Sequence, residues 1–261
     1  MKSTFRLPFI VLAMITFPFL TSAQGQKFSD AARRSQDSAR IISQIAELTS
    51  GGIPKDVMDK AQAVVVFPNV TTWKLLMEKG IKGSGVASAR QGKGWTLPAY
   101  YNFGGLVEFE LTSLGQESTN VILLFMDKDA VSWFQKGAIN FSGEKTPLAG
   151  PLEPATDEQK TRALYTHIIA YTFAKDKLLG KTLEANFNKG FAIGPNNHIN
   201  QPLYHLKGSE VLAGKKIDAA ALPAGIAAFE ENPSEILAGS ITENHSPAWS
   251  GPALTETAGT F

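Results

Sequence analysis

The chain contains no cysteine in 261 residues. That absence excludes disulfides, thiolate metal sites and a lipid-modified N-terminal cysteine. A charge excess is missing too, with 25 Lys and Arg against 24 Asp and Glu. Binding to nucleic acid releases counterions through clustered basic side chains, so a near-neutral chain argues against that class. Histidine is scarce: His167, His198, His205 and His245 show no HExxH or comparable pair, and zinc needs three or four converging ligands. His198 and His205 lie in Pro195 to His205, where Asn196, Asn197 and Asn200 point to turn chemistry. No Gly-x-Ser-x-Gly elbow and no GxxxxGK[ST] loop occurs. Gly83-Ser84-Gly85 leads into a strand, and Gly92-Lys93-Gly94 sits in a hairpin turn. Glu108/Glu110 and Asp127/Asp129 are carboxylates two apart, a spacing that in an exposed strand is usually its wet side. No nucleophile, base and orienter are visible together. The expectation is a protein without enzymatic activity, cofactor or metal.

Long apolar runs are confined to the start. Lys2 and Arg6 precede the apolar run Leu7 to Leu20, and Thr21-Ser22-Ala23 forms a small-residue cleavage site before Gln24. Pro8 and Pro18 interrupt the run, which is short for a membrane span. Residues 1–23 therefore read as a secretion signal. Loss of Lys2 and Arg6 takes the 25 basic residues to 23 against 24 acidic, a net charge of −1. The expected product is soluble and exported, periplasmic or extracellular, and peripheral to a membrane if it meets one.

What remains divides into a core, residues 24–207, and an Ala/Pro-rich C-terminal extension, 208–261, with short helices at Ala219 to Ala221 and Ala224 to Glu231 and little else able to form a core. Ser29 to Thr49 has the pattern of a helix, capped by Ser29 or Asp30 and ended by Gly51-Gly52. Its apolar stripe is Ala39, Ile42, Ile45 and Ala46, and Arg33, Arg34 and Arg40 make it basic. Such a helix either lies on an anionic membrane or packs on its own domain with the arginines solvated. A short helix, Lys55 to Ala61, follows Pro54 and runs into the β-branched strand Val64 to Phe67, which Pro68 should stop. Strands are expected near Gly85 to Arg90 and from Trp95, joined by a turn at Gln91 to Gly94. Leu106, Phe109 and Leu111 suggest a strand wet on one face, whereas Val121 to Met126 suggests one covered on both. Asp127 should cap a helix from Lys128 to Lys136, closed by Gly137. After a Pro/Gly-rich loop, Glu144 to Pro154, the residues Tyr165, His167, Ile169, Tyr171 and Phe173 alternate as a strand, with a hairpin through Lys175-Asp176-Lys177 into Leu178 to Leu183. Hairpins with few helices predict an α+β fold built on a curved, largely antiparallel sheet.

Several short motifs recur in one order: Ile53-Pro54-Lys55, Lys60-Ala61, Val66-Phe67-Pro68, Gly83-Ser84-Gly85-Val86, Arg90, Gly94-Trp95 and Pro98-Ala99. Downstream come Val121 to Met126, Ala149-Gly150-Pro151, Tyr171, Leu178-Leu179-Gly180, Leu183-Glu184, Asn200 and Tyr204. This series, from about Ala31 to His205, resembles the SYLF-domain family. The resemblance implies association with lipids or phosphoinositides. The chain departs from the family pattern at Thr71 to Met77, which replaces a Gly-rich run, and at Glu108 and Glu110. Gly80, Gly83 and Gly85 remain.

The candidate lipid-binding residues are Trp73, Lys74, Lys79, Lys82, Arg90, Lys93, Trp95, Tyr100 and Tyr101. Aromatic side chains with a polar tip settle at a membrane interface or line an apolar pocket, and lysines reach phosphate head groups. The alternative is that the aromatics fill the sheet core and the lysines are edge-strand charges that prevent aggregation. The expected function is non-enzymatic binding of lipid or an anionic membrane surface by a concave sheet face or pocket. The other reading is a structural or protein-interaction domain of the cell envelope, with the extension as a tether.

Overall fold

The computed structural model describes residues 18–48, 50–75, 78–92, 94–106, 119–174, 177–179 and 192–229. Helices α1 (Pro18–Ala46) and α2 (Lys55–Lys60) lead into β1 (Ala63–Leu75), β2 (Glu78–Gln91), β3 (Gly94–Trp95), β4 (Ala99–Leu106) and β5 (Thr119–Phe125). Then follow α3 (Lys128–Gln135), β6 (Ile139–Asn140), β7 (Leu148–Ala149), α4 (Asp157–Leu164), β8 (Ile168–Ala174), β9 (Lys177–Leu179) and β10 (Ala192–Pro195). Helices α5 (Asn197–Tyr204) and α6 (Gly208–Leu212) come next, and 3-10 turns at Ala219–Ala221 and Ala227–Phe229 end the described chain. The strands form one curled sheet in the order β6-β10-β4-β2-β1-β5-β8-β7, with β3 on β2 and β9 on β8. Among the described residues every pairing is antiparallel except β7 with β8. This is the α+β fold with a curved, largely antiparallel sheet that the patterning predicts.

Strand β5 shows why the sheet holds. It is apolar from Val121 to Phe125, and each of these side chains is at most 1% exposed between β1 and β8. Burial of such side chains contributes about 2 kcal/mol each. Its neighbour β8 departs from the expected alternation. The strand begins at Ile168, and Ile168 to Phe173 are all buried because both faces are covered. Tyr165 and His167 precede it, and Tyr165 is 85% exposed. The expected loop Glu144 to Pro154 contains β7, whose pairing with β8 is not encoded in any local pattern. Helix α4 was not expected either, although Thr156 and Gln159 form a capping box at its start. Asp127 caps α3 as predicted, its carboxylate accepting from the Ala130 N–H at 2.8 Å. The expected strand beyond Leu106 lies largely in residues 107–118, outside the described residues.

Pro68 does not stop β1. Pairing with β2 runs from Ala63 to Val66 and resumes at Thr71, and pairing with β5 runs to Phe67 and resumes at Val70. The proline sits in that gap, where no ladder N–H is needed. Asn69 takes a positive φ of 52°, and its N–H donates to Asn120 Oδ1 at 3.0 Å. Opposite the bulge, β2 presses so close that a Cβ on Gly85 would stand 1.9 Å from the Val66 carbonyl oxygen. Glycine is therefore a steric requirement at 85.

Helix α1 begins at Pro18, so neither Ser29 nor Asp30 caps it. Its buried face is Ala31, Ser35, Ser38, Ile42 and Ile45, spaced three or four apart as a helix stripe should be. The serines keep that face narrow. Ser35 also anchors the end of the chain: its hydroxyl donates to the Ile226 carbonyl at 2.6 Å and accepts from the Phe229 N–H at 3.3 Å. Ile226 and Phe229 are buried, as are Val211 and Leu212, so the core continues past residue 207. The Asn-rich segment after Pro195 is likewise helix α5, not loop. Asn200, fully buried, accepts from the Tyr100 N–H and donates to its carbonyl, each at 2.8 Å, tying α5 to β4.

Gly85→Ala should destabilise the fold by about 3 kcal/mol, since backbone rather than a movable side chain is in the way. Urea unfolding measures this. A shift below about 1 kcal/mol would show that β1 and β2 can separate at the bulge.

Candidate functional site

The structure scatters the nine sequence candidates. Trp95, Tyr100 and Tyr101 are core residues, at 6%, 0% and 0% exposure, and cannot meet a membrane. The Tyr100 hydroxyl donates to the Ala31 carbonyl at 3.0 Å. Tyr101 stacks on Phe134 with centroids 4.2 Å apart, and its hydroxyl has no partner among the described residues. Burial pushes both phenol pKa values above the ordinary range. The sheet takes these rings because α5 and α6 pack against β4 and Tyr101 reaches Phe134 of α3.

Arg90 is occupied structurally. Its guanidinium donates to the carbonyls of Ala61 at 2.7 Å and Asp59 at 2.9 Å, and it lies over the Trp95 ring at 4.7 Å. Trp73 is half-buried and faces Gly80, where a Cβ would meet the indole at 2.3 Å. Lys74 and Lys79 pair across the far end of the same hairpin. Lys93 lies outside the described residues. Lys82 and Arg90 are eight positions apart on one strand, about 26 Å at strand rise, so these two do not share a patch.

One candidate does enter a site. Lys82 lines a cleft of about 620 Å³ between α1 and the bulge, together with Arg33, Arg34 and Asp37 from α1. Pro68, Asn69 and Thr71 come from β1, Gly83 and Ser84 from β2, and Asn102 and Phe103 from β4. The bulge creates this cleft by breaking the β1–β2 ladder beside the helix. Phe67 and Phe103, with centroids 5.1 Å apart, provide aromatic support beneath it.

The charges in the cleft are not equivalent. Arg33 is held by Asp30 at 2.8 Å, and Asp37 by Arg40 at 2.6 Å, both as i,i+3 pairs on α1. Arg34 is different: its Nη1 is buried with no hydrogen-bond partner among the described residues. Desolvation lowers its pKa from the usual arginine value, with Asp30 pulling the other way. A guanidinium nitrogen buried without an acceptor is costly, so the position favours an anion. Lys82 is exposed, with no acidic partner among the described residues. Ser84 and Asn102 face one another across β2 and β4, and the hydroxyl donates to Asn102 Oδ1 at 2.9 Å.

The helix arginines were visible in the sequence as a basic face, and the lysine as part of a strand patch. Nothing in either pattern signals that they share a cleft. Among the described residues, no three of His, Asp and Glu gather where they could hold a metal ion, and no helix is long and apolar enough to cross a membrane. No protein-family model matches this chain, and no curated protein matches it.

Tyr101→Phe should leave stability unchanged or raise it by about 1 kcal/mol, because it removes an unpaired buried hydroxyl. Tyr100→Phe should cost about 1 kcal/mol through loss of its bond to Ala31. Thermal unfolding tests both. A clear loss in Tyr101→Phe would mean that the hydroxyl has an acceptor after all.

Proposed function

We propose that this protein binds lipid, or an anionic membrane surface, without catalytic turnover, in a fold of SYLF type. The observation that carries the reading is the cleft in which Arg33, Arg34 and Lys82 meet beside Pro68 and Phe103. Its cations attract phosphate-bearing head groups, and its apolar lining accepts the first carbons of a glyceride. The ordered motifs from Ile53 to Tyr204 support the same reading through the family they resemble. The segment 1–23, read as a secretion signal, puts the site in the periplasm or outside the cell, facing an envelope membrane. The phosphoinositide and actin partners of eukaryotic relatives are not part of the proposal.

The membrane contact proposed here is electrostatic at its rim. Helix α1 keeps its apolar face on the domain, with Ile41, Ile42 and Ile45 at most 4% exposed, and offers the membrane its arginines. Each basic side chain near an anionic surface contributes about 1 kcal/mol, and salt screens the attraction over roughly 10 Å at 0.1 M.

Co-sedimentation with vesicles of phosphatidylcholine, with or without phosphatidylglycerol, tests this. Binding should require the anionic lipid and weaken with salt. The variant Arg33→Gln/Arg34→Gln/Lys82→Gln should lose affinity on the order of 100-fold, three contributions of about 1 kcal/mol. Equal binding to neutral vesicles, or no effect of the triple variant, would overturn the reading. Failure to bind any vesicle would favour a protein-interaction domain of the envelope.

A further inference from the structure

The amide of Asn102 has both sides of its oxygen engaged. Oδ1 accepts from the Ser84 hydroxyl at 2.9 Å and from Asn196 Nδ2 at 3.2 Å. Asn196 is itself fixed, since its N–H donates to the Tyr100 carbonyl at 2.8 Å and its own carbonyl accepts from the Ile199 and Asn200 N–H groups. An amide whose acceptor is taken twice can offer a ligand only its Nδ2 donor. Asn102 lines the cleft that Arg34 and Lys82 also line. Three elements, α1, β2 and β4, thus bring a guanidinium, an ammonium and an oriented amide donor to one cavity.

We infer that Arg34, Lys82 and Asn102 form a seat for a single phosphate group, carried by a phosphate ester. This rests on the binding function proposed above and specifies its ligand. Donors arriving from three separate elements suit a tetrahedral oxyanion better than a planar carboxylate, which one arginine can satisfy alone. At about 620 Å³ the cleft is larger than a bare ion needs, which leaves room for an organic part on the phosphate. Pro68 and Phe103 supply the apolar lining against which that part rests. Asp37 faces the same space, but its carboxylate is engaged by Arg40, which limits its repulsion of the anion. The chemistry is shared by a phospholipid head group and a soluble phosphate ester.

The full chain, labelled with nitrogen-15, is titrated with inorganic phosphate and with glycerol phosphate while the Asn102 side-chain amide resonance is followed. Glycerol phosphate should shift that resonance and bind more tightly than inorganic phosphate. Asn102→Asp, equal in size but without the donor, and Arg34→Gln should each weaken binding at least tenfold. Asn196→Ala, which only frees the amide to turn, should weaken it a few-fold. Phosphatidic acid vesicles that displace glycerol phosphate identify a lipid head group as the source. Glycerol phosphate binding that such vesicles leave untouched supports the seat and removes the lipid reading. Vesicle binding with no shift of the Asn102 amide, and no loss in Asn102→Asp or Arg34→Gln, overturns the seat and leaves the lipid reading in place. If Asn102→Asp fails to fold, the Asn102 shift in the unaltered protein still decides the matter.

Discussion

The approach of β2 to the Val66 carbonyl is the constraint on which the rest depends. Hydrogen bonds hold paired strands about 4.8 Å apart, and at Gly85 the displaced Val66 carbonyl occupies the place where a Cβ would stand. The two strands can therefore stay in contact while β1 loses its register between Val66 and Thr71. A bulge bends and twists its strand without ending it. Here it lets one long hairpin serve two purposes. The half from Ala63 to Phe67 is core, fully buried between β2 and β5. The half beyond Asn69 opens beside α1 and makes one wall of the cleft.

Helix α1 supplies the opposite wall, and its position is held by β4 and by the segment that returns at Ile226 to Phe229. Small residues let it lie close: Ala31 receives the Tyr100 hydroxyl, and Ser35 binds the returning segment at Ile226 and Phe229. Those contacts fix the rotation of the helix about its axis. Residues three or four positions apart share a face, so Arg34, three after Ala31 and four before Ser38, sits at the edge of the buried stripe, while Arg33 and Asp37 turn away from it toward the rim. Local pairs with Asp30 and Arg40 then offset two of the charges, and Arg34 is left with a buried nitrogen that nothing described satisfies. The proposed anion would satisfy that nitrogen.

Much of the fold was legible because the relevant forces are local. The apolar run at Val121 to Phe125 announced a central strand, Asp127 announced the start of α3, and the turn at Gln91 to Gly94 appears as the β2–β3 hairpin. Where local rules misled, a neighbour in space had intervened. Pro68 looked like a stop because the ladder gap that accommodates it is made by β2 and β5. Residues 165–173 looked half-wet because burial of both faces of β8 comes from packing that the strand's own pattern does not contain, although its hairpin with β9 was expected. Trp95, Tyr100 and Tyr101 looked like interface aromatics, yet α5, α6 and α3 bury them.

The residues themselves settled the chemistry that this protein has in hand: arginines on one helix, a lysine and a serine on one strand, an asparagine on another, and no thiol at all. Hydrophobic period and turn residues were enough to make the chain an α+β sheet protein, since they act between near neighbours. Which of those polar groups would meet was decided only by the fold. Ser84 and Asn102 are brought face to face by the β2–β4 register, and Arg34 is set near them by packing of a helix some fifty residues earlier in the chain. Contacts at such separation depend on how the strands curl, and no stretch of sequence contains that information by itself.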